Sequence, residues 1–163
     1  MTSAGETQSA IRVELVDASQ AELVLRLAVE AFAEFRDTLV PPPGILVESV
    51  DDVARYIETG GAVIAWDCDV PVGSARFHPE PDHLYIGRVA VPPAYRRRGI
   101  ATEMMRFLED HARSIGFTET RVQVRQSLPS NVALYQSLGY IVRSADPHPR
   151  VPEAIVLTLI KRL

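Results

Sequence analysis

Three consecutive arginines stand between a strand-like apolar segment and an amphipathic helix, and this junction constrains the fold more than any other feature. The apolar segment is Leu84–Val91, and two prolines after it precede the basic loop Arg96-Arg97-Arg98-Gly99. Apolar residues then recur at helical spacing over Ile100–Ile115, which predicts a long helix with Gly116 just beyond its end. A strand, a basic glycine loop and a helix in direct succession are typical of an α/β fold.

The rest of the chain predicts further helices and strands on both sides of this unit, and therefore an α/β domain with a mixed sheet. The other predicted helices are Ala21–Phe35 with Ser19 as its N-cap, Val50–Thr59 and Asn131–Leu138. The other predicted strands are Ile11–Val16, Ala62–Trp66, Val72–Phe77, Thr120–Val124, Tyr140–Val142 and Ala154–Leu159. The second and third of these strands are expected to form an antiparallel hairpin. We expect residues 1–10 to be a disordered leader and residues 11–163 to be a single domain.

Composition excludes several classes of protein. A chain of 163 residues, 47% of them hydrophobic, is long enough to bury a core without disulfide or metal support. Cys68 is the one cysteine, and the four histidines lack metal-ligand spacing, so we predict neither a disulfide framework nor a metal site. The formal net charge of −4 argues against general binding to nucleic acid or to a membrane. With no signal-like segment at the N-terminus, the expected location is the cytoplasm.

The basic loop carries the clearest chemical signal. A helix N-terminus presents unpaired backbone N–H groups and the positive end of the helix dipole, and Gly99 lets the backbone approach a phosphate closely. Arg96, Arg97 and Arg98 add charge-assisted donors, so the loop predicts a pyrophosphate cradle. The alternative is a solvated basic loop with a turn glycine. Neither G-x-x-x-x-G-K-S/T nor G-x-G-x-x-G occurs, which argues against a P-loop ATPase or kinase and against a dinucleotide-dependent oxidoreductase.

Two segments of the sequence resemble the GCN5-related N-acetyltransferase (GNAT) family. Arg96–Ala101 matches the family signature Q/R-x-x-G-x-G/A. Asn131–Tyr140 is similar to the family segment N-x-x-A/L-x-x-x-Y/F-x-x-x-G-F/Y in a slightly compacted form. The resemblance, carried by Arg88–Tyr140, implies a GNAT-type mixed central sheet flanked by helices. In that fold, Leu84–Val91 and Thr120–Val124 would be parallel strands that splay apart to form an acetyl-CoA cleft.

The resemblance also implies roles for single residues in holding acetyl-CoA. Main-chain groups of Val89 and Val91 would pair with the pantetheine arm, and the Val91 N–H would point at the thioester carbonyl as an oxyanion donor. Backbone amides of residues 96–102 would hold the pyrophosphate, and Asn131 would hydrogen-bond the pantetheine arm. Arg97 is favoured as the arginine that reaches the adenosine 3′-phosphate. The implied cofactor-binding residues are Val89, Ala90, Val91, Arg96, Arg97, Arg98, Gly99, Ile100, Ala101, Thr102, Asn131 and Tyr135.

Two catalytic roles follow from the resemblance, a general acid and a general base. Tyr135 occupies the general-acid position beside the cofactor sulfur, although a core aromatic residue is the structural alternative. Because a free tyrosine has a pKa of about 10 and a free thiol about 8.5, we expect a hydrogen bond to the developing charge on sulfur, with proton transfer late or concerted. The general base is open, because the strand before the loop has no carboxylate. The candidates are Glu80, Asp82, His83 and Tyr85 relaying through water, and His83 has the most suitable unperturbed pKa.

The sequence therefore predicts an acetyl-CoA-dependent N-acetyltransferase that acts on a primary amine by direct attack in a ternary complex, without a metal. The acceptor is an amine on a small molecule or a protein. Acceptor specificity is expected to lie in the first two helices and in the loops Pro41–Ser49 and Asp146–Glu153. Arg88 is expected in a salt bridge or beside the acceptor pocket. Acidic residues in the first helical region favour a cationic acceptor: Glu30, Glu34, Asp37, Asp51 and Asp52.

Two further interpretations stay beside this one. The absence of a carboxylate on the strand leaves a non-catalytic acyl-CoA-binding sensor or interaction module as the alternative function. A homodimer is also expected to be possible, with the exposed edge of the C-terminal strand Ala154–Leu159 as one place for pairing.

Overall fold

A computed structural model describes residues 10–163, which form a seven-stranded mixed sheet with helices on both faces. The elements are β1 (Ile11–Val16), α1 (Ala21–Phe32), α2 (Val50–Thr59), β2 (Gly61–Asp67), β3 (Val70–Pro79), β4 (Leu84–Ala90), α3 (Ile100–Ser114), β5 (Glu119–Arg125), α4 (Pro129–Ser137), β6 (Ile141–Pro147) and β7 (Ile155–Arg162). Short 3₁₀ turns precede and follow α1 and precede α2 and α3. The predicted leader, residues 1–10, lies outside the described residues except for its last residue. Of the helices in the described range, none has the length and apolar character needed to cross a membrane.

The sheet has the strand order β1-β2-β3-β4-β5-β7-β6. Neighbouring strands run antiparallel except for β4 and β5, which are parallel. The predicted α/β class with a mixed sheet is therefore confirmed, and so is the antiparallel hairpin, which is β2 and β3. The long helix α3 lies on the connection between the two parallel strands, as a crossover connection requires.

The core lies on both faces of the sheet. In β2, Val63 and Ala65 pack against α3, whereas Ala62 and Ile64 pack against α1 and α2. This alternation follows from the two-residue repeat of a strand, and it places one layer of helices on each side. The predicted apolar stripe of α3 is buried from Ile100 to Ala112, but its last member, Ile115, is 47% exposed because α3 ends one residue earlier.

A buried polar network links α3 to β5, to β7 and to Tyr140, which precedes β6. The Tyr140 hydroxyl donates to Glu109 Oε2 over 3.0 Å, and the Thr120 hydroxyl lies 2.7 Å from the Tyr140 oxygen. Lys161 Nζ donates to Glu109 Oε1 over 2.8 Å, so the buried carboxylate has a cationic partner. The ring of Tyr140 also packs edge-on against Tyr135, with ring centroids 5.9 Å apart. The network therefore fixes Tyr140, against which the ring of Tyr135 packs.

The predicted N-cap of the first helix is wrong. Ser19 lies inside a 3₁₀ turn that precedes α1, and its backbone N–H donates to the Asp17 carboxylate over 2.9 Å. The cap residue of α1 is Gln20, which makes no side-chain capping bond. Because Asp17 already caps this turn, Ser19 is held inside it and lies one residue before the cap position of α1. The predicted C-terminal part of this helix, after Phe32, is also a 3₁₀ turn.

The predicted role of the C-terminal strand as an exposed edge is wrong as well. Strand β7 lies between β5 and β6 and pairs with both, so Ala154–Leu159 offers no free edge. The edge at this end of the sheet is β6, which is longer than the predicted Tyr140–Val142. Most residues of β6 are exposed, and Ile141 is 64% exposed, so the strand lacks the apolar alternation that marks a half-buried strand. The homodimer itself stays a prediction.

Candidate active site

The two parallel strands separate part of the way along their length. Strands β4 and β5 pair at Leu84–Thr120, Tyr85–Arg121 and Ile86–Val122, and their described pairing ends there. Beyond this point β4 keeps its pairing with β3, and β5 keeps its pairing with β7. A gap therefore opens between the carboxyl ends of β4 and β5, which is the place where ligands bind in open α/β sheets.

A β-bulge at Arg88 turns the end of β4 toward this gap. The register between β3 and β4 shifts there, and Arg88 has a left-handed φ of 50°. Before the bulge, the even-numbered residues Leu84 and Ile86 pack on the α3 side of the sheet. After the bulge, the odd-numbered residues Val89 and Val91 pack on that side. One extra residue reverses which side chains face each layer. It thereby re-aims the backbone of the last residues of β4.

One cavity lies at the N-terminus of α3 and has a volume of about 480 Å³; we call it the α3 cavity. Gly99 is the N-cap residue of α3 and has a left-handed φ of 74°. Because glycine has no side chain, it cannot accept a hydrogen bond from the first amides of the helix. The first amides of α3 therefore have no partner within the helix. A Cβ at Gly99 would point into open space, with nothing within 4 Å. The predicted cofactor residues that line this cavity are Val89, Ala90, Val91, Arg96, Arg97, Gly99, Ile100, Ala101, Thr102, Asn131 and Tyr135.

The three arginines of the loop have different surroundings. Arg96 turns back to the body of the protein: its guanidinium donates to the backbone carbonyls of Val91 and Ala31 over 3.0 and 2.9 Å and pairs with Glu34. Arg98 pairs with the Asp67 carboxylate at 2.6 Å and does not line the cavity. Arg97 lines the cavity and forms no ion pair with any other residue of the described range. Of the three, Arg97 is the side chain left to meet a ligand.

A further cavity shares Tyr135 with the α3 cavity and has a volume of about 600 Å³; we call it the arginine cavity. Four arginines line it, each from a different element: Arg76 from β3, Arg88 from β4, Arg125 from β5 and Arg150 from the turn between β6 and β7. The other polar or titratable lining residues include Tyr56, Tyr85, Gln123, Asn131, Tyr135, Asp146, His148 and Thr158.

Glu48 binds two of these arginines and was missed in the sequence. Its Oε2 accepts from Arg76 Nη1 at 2.8 Å, and its Oε1 accepts from Arg76 Nη2 at 3.1 Å and from Arg88 Nη2 at 2.7 Å. Burial raises the pKa of Glu48, but the hydrogen bonds and charges of Arg76 and Arg88 outweigh burial, so the pKa lies below its usual value. The predicted salt bridge of Arg88 is confirmed. The sequence around Glu48 carries no signal, because its partners lie on β3 and β4.

Two arginines of the cavity lack a carboxylate partner. Arg125 donates to the backbone carbonyls of Val40 and Pro41 over 3.3 and 3.0 Å. Burial and the nearby charges of Arg150 and Arg88 lower the pKa of Arg125. Within residues 10–163, neither Arg125 nor Arg150 forms an ion pair with an acid. The cavity thus has an excess of positive charge.

The surroundings of His148 favour its neutral ring. Its pKa is lowered by burial and by the charges of Arg125 and Arg150. The Nδ1 atom accepts a hydrogen bond from the Arg150 backbone N–H at 3.1 Å. In the neutral ring the proton is therefore on Nε2, which is a donor and not a base.

The two cavities meet at four residues that line both: Phe32, Val89, Asn131 and Tyr135. Tyr135 is 8% exposed, and burial, with a smaller contribution from Tyr85, raises the pKa of its hydroxyl. A raised pKa keeps the hydroxyl protonated, so Tyr135 is a hydrogen-bond donor at the junction. A group transferred from one cavity to the other would pass this donor.

The structure does not bring the predicted base His83 to the gap. His83 lies just before β4, at the end opposite the bulge, and its Nδ1 is 2.7 Å from an Asp82 oxygen. Glu80 pairs with His78 at 3.2 Å, and none of these residues lines either cavity. Tyr85 lines the arginine cavity, but burial raises its pKa and keeps it protonated.

The acidic residues that favoured a cationic acceptor do not line the arginine cavity. Asp52 caps α2 through Ser49 and pairs with Arg55, and Glu34 faces the α3 cavity and pairs with Arg96. Glu30, Asp37 and Asp51 line neither cavity. A search of the described residues finds no group of three or more histidine, cysteine, aspartate or glutamate side chains that could hold a metal ion.

Comparison with known proteins gives a family from sequence and a matching fold from structure. The sequence model of the acetyltransferase (GNAT) family matches residues 27–140. Probable N-acetyltransferase 14 of Xenopus tropicalis is 30% identical over 82 residues, which are 49% of this chain and 40% of that protein. The chain thus matches less than half of the length of that relative.

Two solved structures illustrate the likeness of the fold. The ribosomal-protein-S18-alanine N-acetyltransferase of Escherichia coli has a TM-score of 0.75 at 16% identity, over 94% of each chain. A GNAT family acetyltransferase of Elizabethkingia anophelis, with acetyl-CoA bound, has a TM-score of 0.72 at 14% identity, over 94% of this chain and 98% of the other. At these identities the likeness establishes the fold.

Proposed function

The chain belongs to the GNAT acetyltransferase family, and from this premise we propose that it transfers the acetyl group of acetyl-CoA to a primary amine. One observation carries the proposal. Two cavities beside the β4–β5 gap meet at Tyr135, whose raised pKa keeps its hydroxyl protonated. One cavity would hold the acetyl donor and the other the acceptor.

The residues of the α3 cavity fit acetyl-CoA. The unpaired amides at the start of α3 suit a pyrophosphate, and the open space above Gly99 allows it to approach. Arg97 is the side chain available for the 3′-phosphate. The β5 side of β4 after Ile86 has no strand partner in the described pairing, so Val89 and Val91 can bond the amides of a pantetheine arm. Asn131, which lines both cavities, is placed to hydrogen-bond the same arm.

The chemistry proceeds by direct attack. When bound, acetyl-CoA supplies the thioester; the amine nitrogen forms a bond to the acetyl carbon, the carbon–sulfur bond breaks, and the nitrogen loses one proton. The Val91 N–H is the proposed donor to the carbonyl oxygen as it gains charge. The raised pKa of Tyr135 makes complete proton transfer to a thiolate uphill. Its role is therefore a hydrogen bond to the departing sulfur, with proton transfer late or concerted.

We propose that the proton acceptor for the amine lies in the arginine cavity and is not His83. Asp146 carries the one carboxylate among the described residues that line this cavity. The positive charges of Arg125 and Arg150 disfavour the ammonium form of a nearby amine, so they help to supply the neutral nucleophile. We place Asp146 as the group that receives the proton, directly or through water.

The alternative function is a non-catalytic acyl-CoA-binding module, which the missing carboxylate on β4 keeps open. The deciding experiment measures release of CoA thiol from acetyl-CoA with a panel of cationic, neutral and anionic primary amines. Cys68 is exposed and would react with a thiol reagent, so the measurement is made in a Cys68→Ser background.

For an enzyme we expect amine-dependent thiol release above the rate of hydrolysis for at least one class of amine. Tyr135→Phe should lower that rate while acetyl-CoA still binds. Tight acetyl-CoA binding without release for any class of amine would contradict the enzyme and support the binding module.

A further inference from the structure

The charges of the arginine cavity define a chemical class for the acceptor, a question that the family does not answer. We infer that the acceptor is an amine that also carries an anionic group, either a carboxylate or a phosphate. The transfer itself rests on the proposed function above. The class of the acceptor rests on the cavity.

The cavity has more positive than negative groups. Four arginines from four elements line it, and Glu48 neutralises only part of the charge of Arg76 and Arg88. Among the described residues that line the cavity, Asp146 carries the only carboxylate. A ligand with a negative group would complete this balance.

Arg125 is held in position without being neutralised. Its guanidinium donates to the carbonyls of Val40 and Pro41, which are dipoles and not charges. A partly buried cation without a counter-ion is costly, and an anionic ligand removes that cost. The fixed, planar guanidinium also suits the paired oxygens of a carboxylate or phosphate. Arg150 adds a second cation without an acidic partner in the described range.

The neutral groups of the cavity are donors as well. His148 presents an Nε2–H, because its Nδ1 accepts from the Arg150 backbone. Burial raises the pKa of Tyr56 to about 12, and burial also raises the pKa of Tyr85, so both hydroxyls stay protonated. Donors and cations together favour a ligand rich in acceptor oxygens, and Asp146 provides the counterpart for its amine.

The test compares acceptors with the same carbon skeleton and amine, one with and one without the anionic group, at a pH-corrected concentration of neutral amine. One pair is an amino acid and its carboxamide, and the other is glucosamine 6-phosphate and glucosamine. The variants are Arg125→Gln and Arg150→Gln, and the control is Arg143→Gln, an exposed arginine on β6 that lines neither cavity. Thermal melting establishes that each variant is folded.

We expect kcat/KM to be at least about 10-fold higher for the anionic member of one pair, the equivalent of about 1.4 kcal/mol. Arg125→Gln should remove most of this preference, because it should lower the rate for the anionic acceptor much more than the rate for the neutral one, whereas Arg143→Gln should keep the preference. A purely structural defect would lower both rates together. Equal rates within both pairs, or faster transfer to polyamines, would overturn the inference.

A binding arm decides the case in which no acceptor of the panel is turned over. Protein saturated with CoA is titrated with acetate or inorganic phosphate at constant ionic strength, so that the α3 cavity is already filled. A rise in melting temperature that Arg125→Gln abolishes and Arg143→Gln retains supports the inference, and the stronger anion indicates which group is bound. No anion-dependent rise, or the same rise in all variants, refutes it. Failure of CoA itself to bind would instead refute the proposed function.

Discussion

Both cavities beside the β4–β5 gap contain arginines, but the chain assembles them in different ways. The α3 cavity lies beside three arginines that are consecutive in sequence, Arg96 to Arg98. The arginine cavity takes Arg76, Arg88, Arg125 and Arg150 from four separate elements. The first arrangement is visible in the sequence and the second is not, because only folding brings its members together.

The two sets also differ in what their side chains do. In the loop, Arg96 and Arg98 are bound to the protein's own carboxylates, so most of the binding capacity lies in the backbone amides of α3 and in Arg97. In the arginine cavity, Arg125 and Arg150 form no ion pair with an acid of the described range. A run of arginines is therefore a poorer guide to an anion site than the pairing of each guanidinium.

The largest effect is expected from a charge placed at the amides of α3. Gly99→Asp should weaken acetyl-CoA binding by about 1,000-fold, because two like charges about 4 Å apart at a protein surface cost about 4 kcal/mol. Gly99→Asn is the matched control, because asparagine and aspartate tolerate the left-handed φ of 74° comparably. Calorimetric titration with acetyl-CoA measures both variants. Equal losses in the two would show that backbone strain and not charge is responsible.

The next effect concerns the stability of the arginine cavity. Glu48→Gln should destabilise the protein by about 3 kcal/mol at pH 7, because it leaves the buried Arg76 without its charged partner. The lowered pKa of Glu48 means that its contribution to stability is complete above the ordinary glutamate pKa of 4.5 and is lost as the pH falls through the folded pKa. The difference between wild type and variant should therefore shrink in acid.

Denaturant unfolding between pH 7 and pH 3.5 measures this difference. The control is Glu103→Gln, which removes an exposed pair with Arg106 of 3.7 Å and should change stability by less than about 0.5 kcal/mol. A Glu48→Gln penalty that is independent of pH would contradict the ionic role of Glu48.

Tyr135 tests the junction between the cavities. Tyr135→Phe removes one hydroxyl and should lower kcat by about 30-fold, or about 2 kcal/mol, through loss of the donor to the departing sulfur. Because the ring still packs against Tyr140, the dissociation constant of acetyl-CoA should be unchanged. Steady-state kinetics and calorimetry separate the two quantities. An unchanged kcat would remove Tyr135 from the mechanism.

The smallest effect distinguishes the arginines of the loop. Arg97→Gln should weaken CoA binding by about 10-fold, or about 1.4 kcal/mol, and leave binding of 3′-dephospho-CoA unaltered. Arg98→Gln is the control, because Arg98 pairs with Asp67 outside the cavity, and its effect should stay below about twofold. An equal loss for both variants would assign the loop a general electrostatic role in place of a specific contact.

What the sequence predicts well are the features that neighbouring residues determine. The strand, loop and helix around Gly99 are found as expected, because the apolar stripe of α3 and the glycine at its start are local signals. The parallel pairing of β4 and β5, implied by the family resemblance, is also confirmed.

The features that the sequence does not predict depend on contacts between residues that are distant in the chain. The insertion of β7 between β5 and β6 is a matter of strand pairing that composition does not encode. Glu48 meets Arg76 and Arg88 only in the fold, at separations of 28 and 40 residues. A free histidine has a pKa suited to a base, but residue type alone does not place the side chain of His83 at the gap.

A crystal structure of the protein with acetyl-CoA tests most directly whether the α3 cavity binds the acetyl donor and the arginine cavity binds the acceptor. The account predicts the pyrophosphate on the backbone amides of residues 100–102, the acetyl group between the Val91 N–H and the Tyr135 hydroxyl, and an arginine cavity free of the cofactor. Cofactor phosphates bound to Arg125 and Arg150 would contradict it, because the arginine cavity would then be the donor site.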